Sequence, residues 1–100
     1  MTDTDHDLTI DRHDTADGGR YRATVQGAEA EMTYARAGHG RIVIDHTFVP
    51  EALRGRSVGA ALVARAVGDA RAEGLRIVPQ CSFAAAQFDR HPDWRDVLAG

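Results

Sequence analysis

Apolar and polar residues alternate through most of the first half of the chain, the period of a strand with one face buried. Leu8 and Ile10 alternate with Thr9 and Asp11 in a short run, Leu8 to Arg12. From Arg20 to Val25 the alternation puts Tyr21, Ala23 and Val25 on one face, and from Ala30 to Tyr34 it puts Ala30, Met32 and Tyr34 there. The run from Arg41 to Val49 is the strongest predicted strand, because Ile42, Val43, Ile44, Thr47, Phe48 and Val49 are β-branched or aromatic. Turn chemistry separates these runs at Asp17-Gly18-Gly19, Gln26-Gly27 and Ala37-Gly38-His39-Gly40. Connections this short predict an antiparallel meander.

At Ser57 the period changes. Val58, Leu62, Val63, Ala66, Val67 and Ala70 recur at helical spacing, which predicts a helix from Ser57 to about Glu73, roughly 25 Å long. Ser57 has the chemistry of an N-cap and Gly74 that of a C-terminal stop. Leu75 to Val78 reads as a short strand ended by Pro79. Ser82 is the predicted cap of a second helix from Phe83 to Asp89, which His91-Pro92 breaks, and Asp93 to Leu98 reads as one further helical turn. The predicted fold is therefore α/β, with an α+β mixed sheet: an antiparallel meander, then a right-handed β-α-β unit that adds one parallel strand, then a C-terminal helix.

Length and composition narrow the possibilities. One hundred residues suit one domain, with a radius of gyration of about 13 Å. Residues 1–7 are acidic and aperiodic and read as a disordered tail, leaving 8–100 as the domain. No apolar run approaches the roughly 18 residues that span a bilayer, and the N-terminus lacks the basic and apolar parts of a secretory leader. A single cysteine, Cys81, excludes an internal disulfide and a multi-cysteine metal site and fits a reducing cytoplasm. The five histidines show no paired ligand spacing, so no metal is assigned. A net charge of −3 supplies no field to draw the molecule to nucleic acid. All 12 basic residues are arginine, and without lysine there is no Schiff-base chemistry.

The densest chemistry lies between His46 and Leu62, where a strand ends, small residues follow and the long helix starts. The first amides of a helix have no partner within it, and the helix dipole adds partial positive charge at that end. Small residues let phosphate oxygens reach those amides, and Arg54 and Arg56 add formal charge. This is a diphosphate cradle in outline. It lacks the lysine of a nucleotide-hydrolase loop and the three spaced glycines of a dinucleotide fingerprint.

The spacing Arg54-x-x-Ser57-x-Gly59 resembles the Arg/Gln-x-x-Gly-x-Gly/Ala motif of GNAT-type N-acetyltransferases. Together with Val78-Pro79-Gln80-Cys81-Ser82-Phe83 and Arg90-His91-Pro92, it resembles the minimal single-domain branch that includes the YidJ-like bacterial proteins, over residues 8–98. The resemblance implies acetyl-CoA as ligand. Its pyrophosphate would lie on the backbone of Arg54, Gly55, Arg56, Ser57, Val58, Gly59 and Ala60. Its pantetheine arm would run beside Thr47, Phe48 and Val49, where the two central strands splay, and its acetyl group would come near Cys81, with Ser82 and Phe83 completing the wall. Ser57 departs from the motif, standing where the family usually has glycine, which predicts weaker or altered coenzyme binding.

The implied reaction is acetyl transfer to an amine by direct attack on the thioester, with backbone N–H groups near Phe48 and Val49 stabilising the oxyanion. His46, on the strand beside the cleft, suits a general base at neutral pH; its other reading is a structural histidine. Asp45 points to the opposite face in a regular strand, and a bulge changes that. Cys81, between a strand end and a helix start, reads either as a nucleophile or as a small buried apolar residue. His91 reads as a helix-end residue or cofactor contact and Glu31 as the solvated side of its strand. Trp94 and Phe83 read as packing, and Arg65, Asp69, Arg71 and Glu73 as an exposed helix face. The acceptor amine is not legible; a peptide or protein amine or a small polyamine suits so short a chain. A monomer or weak homodimer is expected. The alternative function is a non-catalytic acyl-CoA-binding module that acts through a protein partner.

Overall fold

The alternating half of the chain folds into an antiparallel meander. In a computed structural model that describes residues 8–99, strands β1 (Leu8–Thr15), β2 (Gly18–Val25), β3 (Ala28–Gly38) and β4 (Arg41–Phe48) lie side by side in sequence order. Helix α1 (Val58–Glu73) crosses the sheet, and β5 (Arg76–Pro79) returns parallel to β4. Helix α2 (Ser82–Arg90) and a 3-10 segment (Pro92–Val97) follow, and Glu51–Leu53 forms a 3-10 turn before α1. The expected acidic tail, residues 1–7, lies outside the described residues. The radius of gyration is 13.1 Å, the value expected for one domain of this length.

The faces fall where the alternation puts them. Tyr21, Ala23, Val25, Ala30, Met32 and Tyr34 are buried and meet Val58, Leu62, Val63, Ala66, Val67 and Ala70 of α1. Each fully buried Leu, Val or Ile contributes about 1.5–3 kcal/mol, so this layer of helix on sheet is a large favourable contribution to folding. Gln26 and Gly27 both have positive φ (48° and 85°), which matches the tight hairpin predicted there. No helix among the described residues is long and apolar enough to cross a membrane.

Several element boundaries differ from the sequence reading. β1 continues to Thr15, and the first turn is Ala16-Asp17 rather than Asp17-Gly18-Gly19. Gly18 and Gly19 serve close approach instead: a Cβ on Gly18 would lie 2.2 Å from the Tyr34 carbonyl oxygen, and one on Gly19 2.6 Å from the Tyr34 hydroxyl. β4 ends at Phe48, β5 spans Arg76–Pro79, and the last helical segment is 3-10. Its end covers the β5 edge, where the Ala99 N–H donates to the Ile77 carbonyl at 2.8 Å.

The face of α1 read as exposed also carries a clamp. Arg12 of β1 reaches Asp14, Asp69 and Glu73, and the Tyr21 hydroxyl donates to Asp69 at 2.8 Å. The hydrogen bond to Glu73, chiefly, holds the Arg12 guanidinium above its ordinary range against the opposing effect of burial. Burial, with Asp69 reinforcing it, pushes the Tyr21 hydroxyl up.

Candidate functional site

β4 and β5 pair from Arg41 to Ile44 and no further. At the point of separation the Ile44 carbonyl accepts the N–H groups of both Gln80 and Cys81, each at 3.0 Å. The register between β3 and β4 shifts in the same place: Tyr34 pairs with Ile44, but Thr33 pairs with His46. Asp45 is thus an extra residue, a β-bulge, and its carboxylate accepts the Thr33 hydroxyl at 2.6 Å. Bulges re-aim the side chains that follow them. In an unbroken strand His46 and Phe48 would share the inner face with Ile42 and Ile44. Here Thr47 pairs with buried Met32, while His46 and Phe48 pair with Thr33 and Glu31 on the outer face, the one away from α1. Beyond the bulge, His46 to Phe48 pair with β3 alone and leave an open edge.

A cavity of about 460 Å³ opens on the inner side of this gap, at the head of α1. Its wall is Thr47, Val49, Leu53, Arg54, Gly55, Ser57, Val58, Gly59, Ala60, Phe83, Gln87 and Arg90. The backbone N–H groups of Gly55, Ser57, Val58, Gly59 and Ala60 donate to no acceptor among the described residues. They leave a concentration of partial positive charge at the helix end, beside two guanidiniums and no carboxylate. Arg54 also ties the end of β4 to the loop, its Nε donating to the Val49 carbonyl at 3.2 Å.

Ser57 occupies the N-cap position but not in the manner predicted. Its backbone is left-handed (φ 61°, ψ 22°) and its hydroxyl makes no cap bond. The chain reverses here from the 3-10 turn into α1, with Gly55 also at positive φ (82°), and a left-handed residue cannot aim its side chain at the N2 or N3 amide as an extended N-cap does. The predicted cap at Ser82 is also displaced. Cys81 is the N-cap of α2, its sulfur accepting the Ala84 N–H at 3.4 Å, and Ser82 is the first helical residue.

The cavity wall brings together Thr47, Val49, Arg54, Gly55, Ser57, Val58, Gly59, Ala60 and Phe83 from the expected set. His46, Phe48, Arg56, Cys81 and Ser82 are not part of it. His46 and Phe48 are exposed on the outer face. Arg56 lies on the other flank of the α1 head, in a shallower hollow with His91 and Trp94. Cys81 is half-buried within the gap, its sulfur 3.4 Å from the Thr47 hydroxyl. His91 ends α2, its N–H donating to the Phe88 carbonyl, and stacks on Trp94 at 3.9 Å. Trp94 is buried, whereas Phe83 is only partly so and turns its ring to the cavity.

Gln87 and Arg90 belong to the wall but were not among the expected site residues. Gln87 is 8% exposed and forms part of the cavity wall. The signal was present: Phe83, Gln87 and Arg90 stand at i, i+4 and i+7 on one face of α2. Among the described residues no group of three His, Cys, Asp or Glu could hold a metal ion.

A family model described as GCN5-related N-acetyl-transferase matches residues 20–97. The NMR structure of a GCN5-like candidate N-acetyltransferase from Staphylococcus aureus matches with a TM-score of 0.74 at 31% identity, over 94% of this chain and 90% of that one. Two others share the fold at lower identity. An IAA acetyltransferase from Bacillus cereus has a TM-score of 0.65 at 17% identity, covering 83% of this chain and 74% of its own. A GNAT-family protein from Desulfovibrio desulfuricans has a TM-score of 0.59 at 18% identity, covering 74% and 54%. No curated protein gives a significant match.

Proposed function

Because the chain belongs to the GCN5-related N-acetyltransferase family, we propose that it binds acetyl-CoA at the head of α1 and transfers the acetyl group to an amine. The observation that carries this reading is the set of unpartnered amides of Gly55, Ser57, Val58, Gly59 and Ala60, opening into a cavity that also holds Gln87 and the charges of Arg54 and Arg90. The donor set fits a diphosphate, which needs several converging N–H groups and positive charge. The Gln87 amide fits a polar arm with its own donors and acceptors. The near-full mutual coverage with the Staphylococcus aureus relative supports assignment to a short, single-domain branch of the family.

In this reading Gly55, Ser57, Val58, Gly59 and Ala60 bind through their backbone, and Arg54 and Arg90 neutralise charge. The open edge of β4 from His46 to Phe48 aligns the reacting end, and backbone N–H groups near Phe48 and Val49 stabilise the developing oxyanion. When bound, acetyl-CoA supplies a thioester: the amine lone pair forms the C–N bond, the C–S bond breaks, and the leaving thiolate takes up a proton. The acceptor approaches from the outer face, where His46 removes the ammonium proton that must leave before attack. Cys81 positions the head of α2 as its cap.

The test is calorimetric and thermal titration with acetyl-CoA, followed by mass spectrometry of mixed amines with wild type and His46→Ala. Binding should raise the melting temperature, since ligand at about 100 times Kd adds roughly 2.7 kcal/mol. His46→Ala should lower kcat by about 10²-fold, the lower end for a general base. Absence of any thermal shift at millimolar acetyl-CoA overturns the reading.

A further inference from the structure

The outer face of the sheet beside the β4 gap carries an arrangement that the coenzyme does not explain. Phe48 is 52% exposed, a large apolar ring presented to solvent. Its register partner on β3 is Glu31, so the two Cβ atoms stand roughly 4.5–5.5 Å apart. Glu31 makes no ion pair or hydrogen bond among the described residues, although Arg22 stands opposite it on β2. The Arg22 guanidinium is directed to Glu29 instead, at 3.8 Å. Two residue pairs along, on the same face, His46 is opposite Thr33, and Asp45 keeps only one of its carboxylate oxygens occupied, by the Thr33 hydroxyl. The result is an uncommitted carboxylate and a bare aromatic ring on one side of His46, with a second carboxylate beside it.

Resting on the acetyl-transfer reading above, we propose that the acceptor is a small aliphatic diamine. One nitrogen is presented to His46 and the other, as an ammonium, is held by Glu31 over the face of Phe48. Charge complementarity selects a cation, and a ring adjoining a carboxylate is the usual partner of an alkylammonium. The diagonal from Glu31 to His46 is roughly 7–8 Å, a reach matched by a chain of about four or five methylenes. The reacting nitrogen gains the acetyl C–N bond and gives its proton to His46, and the distal ammonium keeps its own. Asp45 borders the reacting end and adds to the attraction without contacting the distal charge.

The experiment compares three acceptors with the full chain: 1,5-diaminopentane, pentylamine, and a lysine-containing peptide blocked at both ends. Wild type should favour the diamine over pentylamine by about ten-fold in kcat/KM. Glu31→Gln should shrink that preference about five-fold, the scale of an exposed ion pair, with the change in KM. Asp11→Asn, on the same face but on β1, should leave the preference intact. Equal use of the two small amines, or a preference unaltered in Glu31→Gln, overturns the proposal. Preferential acetylation of the peptide also overturns it while leaving acetyl transfer standing. If acetyl-CoA itself fails to bind, both fall; if it binds and none of the three amines is acetylated, the diamine assignment alone falls.

Discussion

The ring of Phe83 rests against the α-carbon of Gly59: a Cβ there would lie 2.6 Å from Cζ and 2.9 Å from Cε2 of the ring. This contact joins the head of α1 to the first turn of α2, across the wall of the cavity. In an isolated helix Gly to Ala gains about 1 kcal/mol, whereas displacing a packed ring costs about 1–3 kcal/mol. Gly59→Ala should therefore destabilise wild type by about 1 kcal/mol and stabilise the Phe83→Ala variant by up to about 1 kcal/mol. A double-mutant cycle by denaturant unfolding measures the difference; additive values would show that the ring moves aside freely.

Ser57 holds a backbone conformation that glycine adopts at no steric cost. A left-handed residue with a side chain carries about 1–2 kcal/mol of strain, partly offset by the larger entropy that glycine loses on folding. Ser57→Gly should stabilise by about 1 kcal/mol, seen as a rise of roughly 4–8 °C in melting temperature. It should also tighten acetyl-CoA binding in calorimetry, because a side chain beside the free amides is removed.

Cys81 separates two chemistries. As a cap, its role is to accept the Ala84 N–H, which a serine hydroxyl does at least as well. Cys81→Ser should keep stability and retain acetyl transfer within a few-fold, and Cys81→Ala should cost about 1 kcal/mol. Loss of all turnover in a well-folded Cys81→Ser protein, or an acetylated Cys81 in the mass spectrum, would replace direct attack with a covalent route.

Acid should weaken the β1 clamp. The Tyr34 hydroxyl, chiefly, holds the Asp14 carboxyl below its ordinary value of 3.8, with Arg12 assisting. Burial, then Asp14, moves the Tyr34 hydroxyl up. A depressed carboxyl pKa adds stability at pH values above its unfolded value, and that stability is lost as pH falls through the folded one. Unfolding midpoints measured downward from pH 5 should therefore fall less steeply for Asp14→Asn than for wild type. Equal slopes would show that Asp14 contributes nothing to the acid transition.

Much of the fold was legible because burial on one face forces alternation. Tyr21, Ala23 and Val25 on β2 and Ala30, Met32 and Tyr34 on β3 all lie inward as their spacing predicts. The free amides at the head of α1 were legible because the first N–H groups of any helix have no partner within it. The bulge was not. Arg41 to Val49 reads as one continuous strand, and nothing in residue type marks one member as surplus. Gly18 and Gly19 looked like turn residues because glycine has two uses, positive φ and close approach, and only packing against Tyr34 tells them apart. Gln87 escaped notice because a polar residue in a short amphipathic helix reads as solvent-facing until the neighbouring strand end and loop enclose it.

The surplus residue at position 45 gives the two sides of one strand separate histories. Thr47, facing the helices, answers to the shape of the interior, and replacing it disturbs the neighbours it touches. His46 and Phe48, turned outward by the same insertion, touch nothing that the interior depends on. Drift at Phe48 can retune the outer surface while the hollow behind it keeps its form.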